Sequence, residues 1–442
     1  MIRGRGRALD PGLIGMLTWR QRLANEAYSS LLWLATPVYL LRLWRRGRVE
    51  PLYRQAIGER LGRYANKPSA GWVWVHAVSL GETHAAAALI AALRALRPGM
   101  RLLLTHSTAT GREAGRALLR SGDAQTWLPY DTPGAARAFL AQFRPAVGVL
   151  METEVWPNLL LAAQSRRLTM VLANARLSSK SLRQGQRFDA VLRPAVESLA
   201  AVLAQTEDDA QRLRLCGARE VRVMGNLKYD LSPDATQLAR GRVWRNAMAR
   251  GVVLAASTRE GEEGALLALW TQVAQPRPLL MIVPRHPQRF DEVAGLVRAA
   301  GLSIARRSAW TDAPPADALA TDVWLGDSMG EMALYYASAH VALLGGSFAR
   351  LGGQNLIEAA ACGCPVVMGP HTFNFAHAAE LARLAGAAFR VDDIGAGVNE
   401  AIAIAHDLPR WEQAVARSLS MAAEHRGAAT RMAVHIDGLM SA

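Results

Sequence analysis

Two short stretches in the first half of the chain place carboxylates where proton chemistry needs them. Val78-Ser79-Leu80-Gly81-Glu82-Thr83 closes an apolar strand and opens a helix. A carboxylate there faces the C-terminal edge of a sheet, a good position for a general base. The same position suits a helix-start glutamate that only complements the dipole, so both readings stand. Met151-Glu152-Thr153-Glu154-Val155-Trp156-Pro157-Asn158 closes a second apolar strand. Two acids at one strand end are costly unless paired or used. With a two-residue period, Glu152 and Glu154 point to one face and so can act together. Gly225-Asn226-Leu227-Lys228-Tyr229-Asp230 holds one of only three lysines, beside Lys67 and Lys180. A compact ammonium at Lys228 suits a point contact to a carboxylate or phosphate.

The second half offers another kind of group at its strand ends. Ser257-Thr258-Arg259-Glu260, Pro284-Arg285-His286-Pro287 and Asp327-Ser328-Met329-Gly330-Glu331 each follow an apolar run. Arg285 can grip a phosphate through its planar fork. Ser328 reads as a helix N-cap with Glu331 completing the box, leaving the backbone of Met329–Glu331 for a ligand. The longest such unit is Gly345–Pro370: a glycine turn, a helical NLIEAAA segment, then the strand Pro365–Met368. It puts backbone N–H groups and a helix start against an anion. Asn355 and Glu358 share one helix face, where they can hold a ribose diol or a base edge. The bland alternative is an ordinary turn in a parallel sheet with Glu358 in solvent.

Absent motifs narrow the chemistry. There is no GxGxxG after a first strand, no Walker A loop and no isolated Asp-x-Asp, so neither a dinucleotide, ATP nor a metal-held diphosphate is indicated. Cys216, Cys362 and Cys364 form no disulfide framework and lack the His/Cys partners of a zinc site. No metal and no cofactor are expected.

These residues need a scaffold, and the hydropathy pattern supplies one. Apolar runs alternate with helical segments from Gly71 to Val223 and again from Val252 to Met368, predicting α/β architecture with two Rossmann-like domains and a central cleft. Residues 225–250 read as the crossing segment. The chain of 442 residues, 51% hydrophobic, is long enough for two large cores. Its net charge of +14 implies an anionic partner: nucleic acid, a membrane surface or an acidic substrate. Ala27–Leu41 is fifteen uncharged residues flanked by arginines and interrupted by Pro37. Since about 20 apolar residues are needed to span a bilayer, it predicts a membrane anchor, either spanning or interfacial.

Taken together, HAVSLGE, METEVWPN, NARLS (Asn174–Ser178), GNLKYD, VPRHPQRF, DSMGE, GGQNLIEAA and GPHTFNF resemble the ordered motifs of the 3-deoxy-D-manno-octulosonic acid (Kdo) transferases of lipopolysaccharide assembly. The resemblance implies an inverting glycosyltransferase of the GT-B fold, with CMP-Kdo as donor and a lipid A precursor as acceptor. It implies anchoring at the inner membrane, single-pass or monotopic, with the catalytic domains on the cytoplasmic side and no nucleic acid involved. By that likeness Glu82 is the catalytic base, and Glu152 and Lys228 support the transition state. Pro284, Arg285, Met329, Gly330, Glu331 and the segment Asn355, Leu356, Ile357, Glu358 bind CMP. The expected domains are an anchor segment over 1–50, an acceptor domain over 51–230 and a nucleotide-sugar domain over 231–442. The rivals are a GT-B transferase using a UDP-sugar on another membrane lipid, and a non-catalytic basic protein binding nucleic acid or membrane.

Overall fold

A computed structural model describes residues 17–230 and 232–441; residues 1–16 of the expected anchor segment lie outside the described residues. The chain divides into two units, Met1–Leu227 with Gly427–Ala442, and Lys228–Arg426. Each is built on a seven-stranded sheet whose strand pairs are all parallel.

The strands of the first unit are β1 Trp72–His76, β2 Arg101–His106, β3 Ala124–Trp127, β4 Val147–Met151, β5 Thr169–Ala175, β6 Ala201–Ala204 and β7 Val221–Val223. β1 and β4 are buried along their whole length, as strands covered on both faces must be. Trp72 and Trp74 enter the core on one side of the sheet, and Val73 and Val75 the core on the other. The order is β3-β2-β1-β4-β5-β6-β7. Connections reverse direction between β1 and β4, and in open α/β sheets that switch point opens a crevice at the C-terminal strand ends. Glu82 follows β1, and Glu152 and Glu154 follow β4.

The second unit repeats the plan with β8 Val252–Thr258, β9 Leu279–Pro284, β10 Ile304–Arg306, β11 Val323–Leu325, β12 Val341–Leu344, β13 Val366–Met368 and β14 Ala388–Arg390. Its order is β10-β11-β9-β8-β12-β13-β14, so the switch point lies between β8 and β12. Gly345, just past β12, must be glycine: a Cβ there would sit 2.3 Å from the backbone oxygen of Ser257.

Three expectations change. The second domain was expected to run to residue 442, but residues 427–442 belong to the first unit. The reason is the helix Ala428–Ser441, whose Ala428, Ala429, Met432, Ala433 and Ile436 are buried in the core beneath β1, β4 and β5. The crossing segment contains a helix, Ala235–Ala247, whose Trp244 is buried in the core of the second unit. The third concerns the anchor. Ala27–Leu41 lies within a helix, Trp19–Arg46, and among the described residues no helix is long and apolar enough to cross a membrane. This helix is held to the first unit by polar bonds. Tyr28 donates to Asp131 at 3.0 Å, and Asn25 and Ser29 donate to Asn158 Oδ1 at 3.2 and 3.1 Å. Trp19, Leu31, Trp33, Leu34 and Val38 remain exposed.

Candidate active site

In the first unit the helix Leu80–Leu96 begins directly after β1, with Ser79 as N-cap. The Glu82 carboxylate folds back on the turn before the helix. One carboxylate oxygen accepts the Val78 N–H at 2.8 Å and the other the Ser79 hydroxyl at 3.1 Å. Both the structural and the chemical reading of this glutamate are therefore present in one geometry: the local bonds fix the carboxylate, and each oxygen keeps a lone pair for a further proton. Burial raises its pKa above the ordinary carboxylate value, and the charge of Glu152 adds to the rise. A base gains proton affinity in this way.

Glu152 is buried and occupies the left-handed region at φ 58°, an unfavourable conformation for a non-glycine residue. Its N–H donates to Ala173 O at 2.9 Å, and the Nε of Arg176 donates to its carboxylate at 2.8 Å. Glu154 has no such cation. Burial, then the charge of Glu82, raises its pKa to about 7. Behind it stands His76, wholly buried at the end of β1, with Nε2 3.9 Å from the Glu154 carboxylate. Among the described residues no group of three or more His, Cys, Asp or Glu side chains is placed to hold a metal ion, so these glutamates do not read as ligands.

The strand ends of the second unit carry cations and backbone amides. Pro284 ends β9, buried, and Arg285 after it is exposed, its N–H donating to Thr258 O at 3.0 Å. His286 has a pKa lowered by desolvation and by the guanidinium groups of Arg259, Arg285 and Arg289, which marks the region as electropositive. Arg289 is engaged on its inner side, gripping the fully buried Glu263 at 2.7 and 3.1 Å while Thr258 donates to Glu263 at 2.6 Å. Lys228 lies in a short 3-10 turn, Leu227–Asp230, with its ammonium 4.8 Å from the centre of the Phe375 ring.

Several expected donor groups are used differently from the sequence reading. Ser328 does not cap a helix: the helix starts at Met332, and Ser328 instead donates to Glu331 at 2.5 Å. Glu331 also pairs with Arg307 at 2.8 Å, so its carboxylate is already held. Met329 is exposed and Gly330 turns at φ 79°, its carbonyl accepting from Gln237 Nε2 at 3.0 Å. Leu356 and Ile357 point into the core, each 1% exposed, so only their main chain can meet a ligand. Even there, Ile357 N–H is taken by Asn355 Oδ1 at 3.1 Å, because Asn355 is the N-cap. Glu358 is exposed in the first turn. The glycine turn holds an internal anion as well: both oxygens of Glu262 lie 2.9 Å from Gly346 N.

Arg176, His76 and Glu262 were not singled out from the sequence. Arg176 and His76 lay inside NARLS and HAVSLGE, and Glu262 sits three residues past Arg259. Their signal was a polar side chain just past or at the end of an apolar run. Their partners, Glu152, Glu154 and Gly346, are distant in sequence.

Two doubly wound parallel sheets, one ending in acids and the other in arginines and glycine turns, define the GT-B class of sugar-nucleotide enzymes. The UDP-GlcNAc 2-epimerase of Neisseria meningitidis, in a structure bound to UDP-GlcNAc, shares this fold. It has a TM-score of 0.55 at 16% identity and covers 84% of this chain and 99% of that one. The sequence signature of 3-deoxy-D-manno-octulosonic-acid transferase (kdotransferase) matches residues 55–231. The Bordetella pertussis 3-deoxy-D-manno-octulosonic acid transferase is 47% identical over 92% of this chain and 98% of its own length. That of Haemophilus influenzae is 34% identical over 79% of this chain and 82% of its own. The chain belongs to the Kdo transferase family.

Proposed function

We propose that the protein transfers Kdo from CMP-Kdo to a lipid A precursor in a single inverting displacement, with Glu82 as the base. The observation that carries this reading is Glu82 itself: a fixed, half-buried carboxylate of raised proton affinity at the switch point of a sheet. Glu82 takes the proton of an acceptor hydroxyl. That oxygen forms a bond to the anomeric carbon of Kdo as the bond from that carbon to the CMP phosphate breaks. The departing phosphate monoester has a second pKa near about 6, so it leaves without a general acid. Arg285, with Arg259 beside it, supplies charge-assisted donors for that phosphate. Lys228 and the Arg176-paired Glu152 are assigned to supporting the transition state. Asn355, Glu358 and the main chain of Met329–Glu331 and Leu356–Ile357 are assigned to the nucleotide. On this reading the first unit carries the acceptor and the second the donor.

The helix Trp19–Arg46 is assigned to the cytoplasmic face of the inner membrane, lying on it rather than spanning it. Its exposed Trp33, Leu34 and Val38 suit the interface, and exposed Arg42, Arg45 and Arg46 suit anionic headgroups.

Assay of Glu82→Gln with CMP-Kdo and a lipid A precursor tests the base. Loss of roughly 100-fold or more in turnover is expected, the usual worth of a general base. Full transfer by that variant rules Glu82 out. Trp33→Ser with Leu34→Ser should weaken sedimentation with anionic vesicles; undiminished sedimentation rules out this face.

A further inference from the structure

His76 poses a problem that the proposed reaction does not use. Its side chain is completely buried. Nδ1 lies 3.1 Å from the Thr105 carbonyl and 2.9 Å from the Thr105 hydroxyl. The hydroxyl already accepts the Trp74 indole N–H at 2.8 Å. A carbonyl oxygen can only accept, so Nδ1 carries the ring proton and Nε2 presents a bare lone pair. That Nε2 has no hydrogen-bond partner. The acid it faces is Glu154, 3.9 Å away, longer than a hydrogen bond but within reach of a small torsional change.

An ionised Glu154 would set one lone pair against another in a site with little water. It would also be a third negative charge beside Glu82 and Glu152, which share one cation, Arg176, already 2.8 Å from Glu152. A carboxylic acid removes both conflicts, since its O–H points at a nitrogen that lacks a donor.

We propose that Glu154 serves the transfer reaction as a neutral carboxylic acid, its proton held toward Nε2 of His76, and so keeps the surroundings of Glu82 from repelling an anionic donor. Glu154 is thus a positioning residue. This inference rests on Glu82 being the base, and goes beyond it by giving the neighbouring acid the opposite protonation state. Two neighbouring carboxyl groups then do different work because Glu82 is held by the Val78 N–H and the Ser79 hydroxyl, while at Glu154 burial outweighs the Trp156 indole that favours its charged form.

The groups that act on Glu154 from the surrounding elements are Glu82 on the helix Leu80–Leu96, Glu152 in the turn after β4, His76 on β1 and the Trp156 indole; Arg176 after β5 is paired with Glu152, and His106 of β2 stands behind His76. His76 and His106 are held neutral by burial, titrating at about 3 and about 4. Neither imidazole therefore changes charge through neutral pH.

The test compares the full chain with Glu154→Gln and Glu82→Gln, following kcat/KM against pH with CMP-Kdo and a lipid A precursor. In the unaltered protein kcat/KM should fall up to roughly 20-fold between about pH 6.5 and about pH 8.5, the ratio of protonated fractions for a group titrating at about 7. In Glu154→Gln, whose amide cannot ionise, that alkaline fall should vanish, whatever the height of the profile. A Glu154→Gln profile of unchanged shape overturns the proposal. Full transfer by Glu82→Gln overturns the base assignment instead. Infrared spectroscopy of the unaltered protein gives a second readout, independent of activity. A protonated-carboxyl stretch at neutral pH, lost on raising the pH, is expected; its absence at neutral pH overturns the proposal.

Discussion

The two units share a sheet plan and differ in how their acids are balanced. In the second unit three acids around the strand ends are paired with arginines, while burial raises the pKa of Glu262 and Glu358. Glu263 is gripped by Arg289, Glu331 by Arg307, and Asp327 by Arg306 at 2.6 Å with the Ser308 hydroxyl also at 2.6 Å. Asp327 accordingly has a lowered pKa despite its burial, because Ser308 and Arg306 favour the charged form. In the first unit Glu152 is paired with Arg176, and its neighbours Glu82 and Glu154 are pushed up by burial. One scaffold thus supports two electrostatic outcomes. Where carboxylates are neutralised, the remaining arginines are left to bind an anion. Where they are not, burial raises the proton affinity of Glu82 and Glu154.

That contrast can be broken from either side. The largest effect is expected from Arg289→Ala, which leaves fully buried Glu263 without its cation. A loss of about 3–5 kcal/mol in denaturant unfolding is expected, as for other buried pairs deprived of one partner. A loss within a few tenths of that of a surface arginine would show that the second unit's acids need no neutralising. Next comes Arg285→Ala, which removes an exposed guanidinium whose charge acts on Glu358. It should raise KM for the sugar donor by roughly 10–100-fold, the worth of a charge-assisted bond or two, with little change in melting temperature. A fall in stability with unchanged KM would reassign it to the scaffold.

The smallest effect sharpens the comparison on the first unit's side. The folded-state pKa of Glu154, about 7, lies above its ordinary value of 4.5. The folded protein therefore holds this proton more tightly, and stability is lost as pH rises from about 4.5 through about 7. Glu154→Gln should be indistinguishable in stability near pH 4. It should be more stable above pH 7 by about 1–3 kcal/mol, the free energy of a shift of this size reduced for its partial exposure. Equal melting curves at pH 8 would mean that Glu154 is better solvated than its surroundings indicate.

Local pattern was enough for much of this. The apolar runs at Val147–Met151, Ala201–Ala204 and Val323–Leu325, each ended by polar or turn residues, are strands because few other structures bury every residue of so short a run. Glu82, Glu152 and Arg285 were legible because each directly follows such a run, and the C-terminal end of a parallel strand is where ligands meet an α/β sheet. Short strands with polar residues, such as Ala124–Trp127 and Ile304–Arg306, carried no comparable signal. The role of Ser328 was misread because a capping box and a serine–glutamate bond in a turn have the same spacing.

Tertiary structure decided the rest, and the reason is that charge state and partnership depend on neighbours far along the chain. Sequence order cannot show that Arg176 lands on Glu152, that Glu262 reaches across to Gly346, or that the last helix returns to the first sheet. Nor can it separate three glutamates of one type into one paired with an arginine, one held by a backbone N–H and a hydroxyl, and one beside a buried imidazole. Residue type sets what each side chain is able to do; burial and the one available cation set which of these it does.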